Sequence, residues 1–447
     1  MESLTCNLKV LIIPHCVVSY QALLSLSRQC PFLEELSFSG FHDYNLPSNE
    51  ECALLRFPQL KSITASRMIV FESLLIAMTR SGNLEELKLS VEEDLESLRK
   101  VLTLNPNLKR FSLHSFAGQD KSSLQDFVEN VLGSLAFLDY ALIPLSGFSW
   151  KPTSSDSLPW PNLQTLSINT FEHPDKDEAF LIIPSGSGLS FSRLLHSITY
   201  LSLICVRIEC EIHCPVLVNL QLNFVKFQNP ESGIRVGTAF RSLDISDTKI
   251  DPNRIYSDAK SVPDLSTLTL SIDPWNGLPP SVVGDYVKSL PSLESVDIFI
   301  DDWWKILGSQ KLECDFFPNK IGREFGTILG SQNCLKNVKF GFRFDTSLAA
   351  TEKCILRTLA NQRYDAVKAE KPVALLQYTV PVPGNTSGGR KYLKLDSEME
   401  KNARMKAKIP TSDWLCRHPF FEYDFIKKPS TPDNCILVDD EAYFVSL

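Results

Sequence analysis

The chain has 447 residues, 43% of them hydrophobic and 22% charged, which is the composition of a folded protein able to bury a large core. Its 19 Gly and 27 Pro are too few for a collagen-like or globally disordered chain. A formal net charge of −8 argues against nucleic acid as a partner, because phosphate binding needs a basic footprint. No apolar run approaches the ~20 residues that cross a bilayer, so no membrane partner is expected and the reading is cytoplasmic or nuclear.

The chain opens with the apolar run Val10, Leu11, Ile12 and Ile13. Glu2 and Lys9 give no basic leader and no small-x-small cleavage site follows, so the stretch reads as a core strand rather than a signal peptide. It starts a series. The pattern L-x-x-L-x-L, with large aliphatic or aromatic residues allowed, recurs at Leu8/Leu11/Ile13, Leu33/Leu36/Phe38, Leu60/Ile63/Ala65, Leu84/Leu87/Leu89, Leu108/Phe111/Leu113 and Leu135/Leu138/Tyr140. It continues at Leu163/Leu166/Ile168, Ile198/Leu201/Leu203, Leu217/Leu220/Leu222, Phe240/Leu243/Ile245, Leu265/Leu268/Leu270, Leu293/Val296/Ile298 and Leu335/Val338/Phe340. These thirteen units account for much of the 62 Leu and stand about 27 residues apart on average, a spacing that holds one short strand and one returning segment. Several carry a Pro-x-Leu lead-in, as in Pro31-Phe32-Leu33 and Pro106-Asn107-Leu108, where Pro ends a helix and favours extended backbone.

Apolar residues at helical spacing predict helices over 20–27, 71–78, 95–102 and 124–132. Segments 144–160, 171–193 and 301–334 read as loop insertions on one rim, with Trp303-Trp304 as a loop anchor in the last. The repeat signal stops after Phe342. Residues 346–447 read as an appendage: a helix over 346–361, a strand over 373–380, a loop over 381–390 and a solvated mixed-charge helix over 391–408. An aromatic cluster follows, Trp414, Phe420, Phe421, Tyr423 and Phe425, which should pack against the last repeats, and an acidic tail ends the chain.

Twelve Cys are too sparse for a disulfide scaffold, and most stand among apolar neighbours as small buried hydrophobes. Cys205, Cys210, His213 and Cys214 are denser, but their spacing matches no zinc module and the flanking leucines place them in a strand-turn-strand repeat, so no metal is expected. No phosphate-cradling, zinc-protease or nucleophile-elbow motif occurs, and the seven His form no constellation, so no cofactor is expected either. Carboxylate runs such as Glu92-Glu93-Asp94 and Asp301-Asp302 read as solvated helix starts or loops.

Strand geometry sends the patterned residues inward and the intervening ones to the concave face. Ser and Thr fill 16 of its 39 positions, which suits β-propensity and solvation alone. The remaining larger and polar groups are the candidate protein-binding residues: Arg110, His114, Phe137, Asp139, Tyr200, Asn219, Gln221, Asn223, Asp244, Asp297 and Phe299. Aromatic and Arg anchors dispersed on a polar surface suit protein recognition.

The L-x-x-L-x-L units, the helical returns and the occasional later Cys, as at Cys16, make the chain resemble the leucine-rich-repeat superfamily, and within it the ribonuclease-inhibitor-like and F-box-type arrays. The resemblance covers residues 8–345. It implies an α/β solenoid, a horseshoe with parallel strands inside and helices outside, over 1–345, with a C-terminal α/β appendage over 346–447. It also implies a non-enzymatic recognition module, the substrate-receptor part of an F-box-like ubiquitin-ligase adaptor with a possible cullin-ligase adaptor as partner, although no F-box precedes Leu8. A structural or regulatory scaffold is the alternative, and a hydrolase-like activity in the C-terminal segment a remote one. Met1 to Asn7 is too short for the polar cap that a terminal repeat needs.

Overall fold

The computed structural model describes residues 7–41, 47–66, 72–93, 95–116, 121–145, 148–151, 162–169, 180–247, 252–257, 264–272, 286–300, 334–342, 376–379 and 421–424. In chain order the strands are β1 (Val10–Val18), β2 (Glu35–Phe41), β3 (Ser62–Ser66), β4 (Glu86–Glu93), β5 (Arg110–Phe116), β6 (Tyr140–Pro144) and β7 (Thr165–Asn169). Then come β8 (Leu181–Ile183), β9 (Tyr200–Ile204), β10 (Val206–Ile208), β11 (Glu211–Cys214), β12 (Asn219–Asn223), β13 (Lys226–Phe227) and β14 (Gly233–Val236). The last are β15 (Ser242–Asp247), β16 (Ile255–Ser257), β17 (Thr267–Ile272), β18 (Ser295–Ile300), β19 (Asn337–Phe342), β20 (Leu376–Thr379) and β21 (Phe421–Asp424).

The chain divides into two units, Met1–Leu217 with Phe224–Val236, and Val218–Asn223 with Gly237–Leu447. In the first, β1, β2, β3, β4, β5, β6, β7 and β9 pair side by side in that order, all parallel. In the second, β12, β15, β17, β18, β19, β20 and β21 do the same. One parallel strand per repeat, with its aliphatic ladder buried, makes each unit a leucine-rich-repeat solenoid. The ladder of the first unit runs through Leu36, Ile63, Leu87, Phe111, Ala141, Leu166 and Leu201, each at most 1% exposed. The starts of β2–β7, β9, β15 and β17–β19 repeat one hydrogen-bond motif: two consecutive N–H groups donate to a single carbonyl of the previous repeat. Glu34 and Glu35 donate to Lys9, Glu85 and Glu86 to Lys61, and Lys109 and Arg110 to Glu85.

That motif fixes the frame of the units that carry it and corrects one. Asp139 and Tyr140 donate to Lys109, so the sixth unit is Leu138/Ala141/Ile143, three residues beyond the expected Leu135/Leu138/Tyr140. Leu135 and Leu138 are both buried, so hydrophobicity alone does not choose between frames. Leu135 occupies the turn position held by Cys30 and Asn105 in other repeats, where the N–H of the residue three further on donates to its carbonyl.

The returning segments of the early repeats are helical: α1 (Tyr20–Gln29), α2 (Asn49–Cys52), α3 (Glu72–Thr79), α4 (Leu95–Leu104) and α5 (Lys121–Asp126), which runs on into a π-helical turn at Phe127–Val131. Ser19 caps α1 by accepting from the Ala22 N–H, and Ser48 with Glu51 forms a capping box on α2. Leu95, Leu98, Val101 and Leu102 put one apolar stripe of α4 into the core.

Later returns differ from the expected loops. The segment read as an insertion over 171–193 contains β8 and the helix α6 (Gly188–Leu194). Residues 148–151 of the other expected insertion lie against β8: the Trp150 N–H donates to the Ile182 carbonyl at 2.8 Å. This seats Trp150 edge-on between Phe148 and Phe191, with ring centroids 6.0 and 5.3 Å away. β8, β10 and β13 form a small parallel sheet, and β11 pairs with β14. Here the returns are strands where their apolar residues alternate with period two, as in Glu211-Ile212-His213-Cys214. Gly188 permits the close approach of α6 to β11, since a Cβ there would lie 2.6 Å from the Glu211 carbonyl oxygen. The strand expected over 373–380 is β20. Trp303, Trp304, Trp414, Phe420 and Phe425 lie outside the described residues, as does the helix expected over 346–361.

Candidate functional site

Two rows of side chains stand on the sheet face of the first unit, opposite the buried ladder. One aligns Val10, Glu35, Ser62, Glu86, Arg110, Tyr140, Thr165 and Tyr200; the other aligns Ile12, Ser37, Thr64, Lys88, Ser112, Leu142, Ser167 and Ser202. Neighbours in a row are one strand apart, about 4.8 Å, so long side chains in adjacent repeats touch.

They do so at β4, β5 and β6. The Arg110 guanidinium lies over the Tyr140 ring, 4.9 Å from its centroid. Its Nε stands 3.5 Å from Glu86 Oε1. The Ser62 hydroxyl donates to Glu86 Oε2 at 3.1 Å, steadying the carboxylate from the other side. Ser112 sits between the longer Lys88 and Leu142 in the second row, and its short side chain leaves a hollow of about 60 Å³ lined by Glu86, Leu87, Lys88, Arg110, Ser112 and Tyr140. That is room for roughly two waters or one small polar group, and far below the roughly 300–1,000 Å³ of a small-molecule pocket. The arrangement can grip the tip of a side chain.

A second set of charges follows the strand starts. Lys9 and Lys61 flank Glu34 at 2.8 and 2.7 Å, and Lys109 meets Glu85 at 2.7 Å. The hydrogen bonds from Lys61 and then Lys9 hold the Glu34 carboxyl down at about 2. These exposed pairs join successive repeats and sit outside the hollow.

Among the sequence-predicted residues, Arg110 is in the hollow and Tyr200 is half-buried at the start of β9 in the same row. His114 lies on β5, with its side chain outside the described residues. Phe137 and Asp139 are not on the sheet face. The frame shift puts Phe137 in the turn before β6, 57% exposed, and Asp139 at the strand start beside Lys109. In the second unit Asn219, Gln221 and Asn223 occupy alternate positions of β12; Gln221 aligns with Asp244 on β15, and Asp244 with Thr269 on β17. Asp297 aligns with Thr269 and Lys339; Phe299 lies on β18 beside Ser271, its side chain outside the described residues. The sequence reading missed Tyr140, Glu86 and Lys88. Tyr140 was assigned to the core by the shifted frame, and counting from Leu138 would have brought it to the surface.

The cysteine cluster is part of the core. Cys205, Cys210 and Cys214 are buried, the Cys210 thiol donates to the Ile183 carbonyl, and burial pushes the Cys210 and Cys214 thiols up to about 11 and about 12. In the chain by itself such buried thiols stay protonated and act as small hydrophobes. Among the described residues no three His, Cys, Asp or Glu side chains gather as a metal site.

No protein-family model and no curated protein matches the chain. Among solved structures it is similar to a leucine-rich-repeat protein of Leptospira interrogans, at 13% identity over 79% of this chain and 80% of that one, with a TM-score of 0.29. The fold assignment rests on the strand register and the buried ladder described above.

Proposed function

We propose that the chain is a non-enzymatic protein-recognition module that binds its partner on the sheet face of the first unit, with Arg110 and Tyr140 as the anchors. The observation that carries this reading is the guanidinium stacked on the Tyr140 ring beside an open hollow, with the Arg110 side chain still 56% exposed. Arg and Tyr are the residue types that dominate interface energetics, and stacking holds the guanidinium in one orientation before a partner arrives. The finer reading is the substrate-receptor part of an F-box-like ubiquitin-ligase adaptor, supported by the resemblance of the repeats.

Affinity purification from native cells with wild type, Arg110→Ala and Tyr140→Ala tests both levels. The module reading expects a partner that wild type retains and both variants lose at unchanged Tm. Retention of every partner by both variants would remove the face from consideration. Recovery of a cullin-type ligase adaptor with all three proteins supports the finer reading, and its absence from all three counts against it.

A further inference from the structure

We infer that the hollow between β4, β5 and β6 is a socket for a carboxylate, the side chain of an Asp or Glu on the protein partner. This rests on the reading of the face as a recognition surface and adds the chemistry of what enters it.

The hollow exists because Ser112 is short. In its row the neighbours are Lys88 and Leu142, and in the adjoining row Glu86, Arg110 and Tyr140 rise around it. Two of the five polar side chains are cations on adjacent strands. Lys88 is exposed, and its row neighbours Thr64 and Ser112 carry no charge. Among the described residues no carboxylate lies within ion-pair distance of it. The lysines at the strand starts differ: Lys9, Lys61 and Lys109 each meet a Glu.

Glu86 is the one carboxylate lining the hollow, and both of its oxygens are engaged, Oε1 with Arg110 and Oε2 with the Ser62 hydroxyl. Its contact with Arg110 runs through Nε at 3.5 Å. The guanidinium carries four further N–H donors on its two Nη atoms. The lining therefore has an excess of one positive charge and is rich in donors: guanidinium, ammonium, the Ser112 hydroxyl and the Tyr140 hydroxyl. A carboxylate accepts from all four kinds of donor. The volume of about 60 Å³ is enough to admit a carboxyl group. The overall charge of −8 does not oppose this, since the field that a short-range guest meets is set within about a Debye length, about 8 Å at physiological salt.

The test probes the full chain against immobilised dodecapeptides with randomised flanks and a fixed central residue, Glu, Asp, Gln, Lys or phosphoserine. The socket predicts Glu and Asp arrays retaining about tenfold more protein than Gln, the equivalent of 1.4 kcal/mol. Arg110→Gln and Lys88→Gln erase that preference, whereas Glu86→Gln strengthens it by removing the competing charge. Opposite signs from substitutions within one hollow cannot arise from unfolding. Lys109→Gln, outside the hollow, leaves the preference unchanged. Equal retention on Glu and Gln arrays overturns the assignment, and stronger retention on phosphoserine than on Glu replaces it with a phosphate site. If peptides bind without charge preference and Tyr140→Ala still weakens them, the recognition face stands and the carboxylate socket falls. If no array retains the protein, the socket falls and the partner capture described above decides the recognition reading separately.

Discussion

Asn105 is fully buried, yet it belongs in the core because each end of its amide is used. Its Nδ2 donates to the Val101 carbonyl at 2.8 Å, closing the last turn of α4, and its Oδ1 accepts from the Leu84 N–H of the previous repeat at 3.3 Å. Asn105→Ala strands the Leu84 N–H in apolar surroundings. The expected cost is about 1–3 kcal/mol, read as a lower urea midpoint at unchanged slope, and an unchanged midpoint would contradict this role. Glu34 is the opposite case, an exposed carboxylate whose affinity for protons is lowered by two lysines. A depressed carboxyl stabilises the fold above its unfolded value, near 4.3, and loses that contribution as pH falls toward about 2. The stability gap between wild type and Glu34→Gln should therefore be present at pH 7, shrink through pH 4 and vanish near pH 2. It should also shrink in high salt, as expected of an exposed pair. A gap that persists at pH 2 would show that Glu34 acts by packing. The sequence shows Asn105 only as the residue before the Pro106 lead-in, because its two partners come from a helix end and from another repeat.

The strands of the solenoid were readable because burial repeats on a fixed frame. The sixth unit shows the limit. Leu135, Leu138 and Tyr140 satisfy the pattern as well as Leu138, Ala141 and Ile143 do, and the frame is decided by backbone hydrogen bonds that no side-chain pattern reports. The consequence was functional, since the wrong frame buried the aromatic that lines the hollow. The two frames give opposite mutational results. Tyr140→Ser should change stability by under about 1 kcal/mol, whereas Ala141→Asp buries an unpaired charge and should cost upwards of about 3 kcal/mol. A larger loss for Tyr140→Ser than for Ala141→Asp in thermal denaturation would restore the earlier frame. The strand returns β10, β11, β13 and β14 were less legible for another reason. They are two to four residues long, and their sheets join residues from separate repeats. The contact of residues 148–151 with β8 is also non-local, which is why both segments read as independent insertions.

At the scale of the molecule, each solenoid unit gains its stability from neighbouring repeats, so surface positions on the strands are free to vary in chemistry while the ladder beneath stays apolar. The two units use that freedom differently. The face of the second is mostly small hydroxyls and amides, Asn219, Ser242, Thr267 and Ser295 in one row. The face of the first carries the stacked Arg110 and Tyr140, the open hollow at Ser112 and the exposed Lys88. This concentration of anchors, more than the repeat architecture itself, supports recognition as the function, since a fold alone does not assign one. The decisive measurement is the affinity of the captured partner for wild type, Arg110→Ala and Tyr140→Ala, with Ser242→Ala in the second unit as the control. Each of the two anchor variants should raise Kd at least about tenfold, or 1.4 kcal/mol, at unchanged Tm, and the control should leave it unchanged. Undiminished affinity of both anchor variants would contradict recognition on this face.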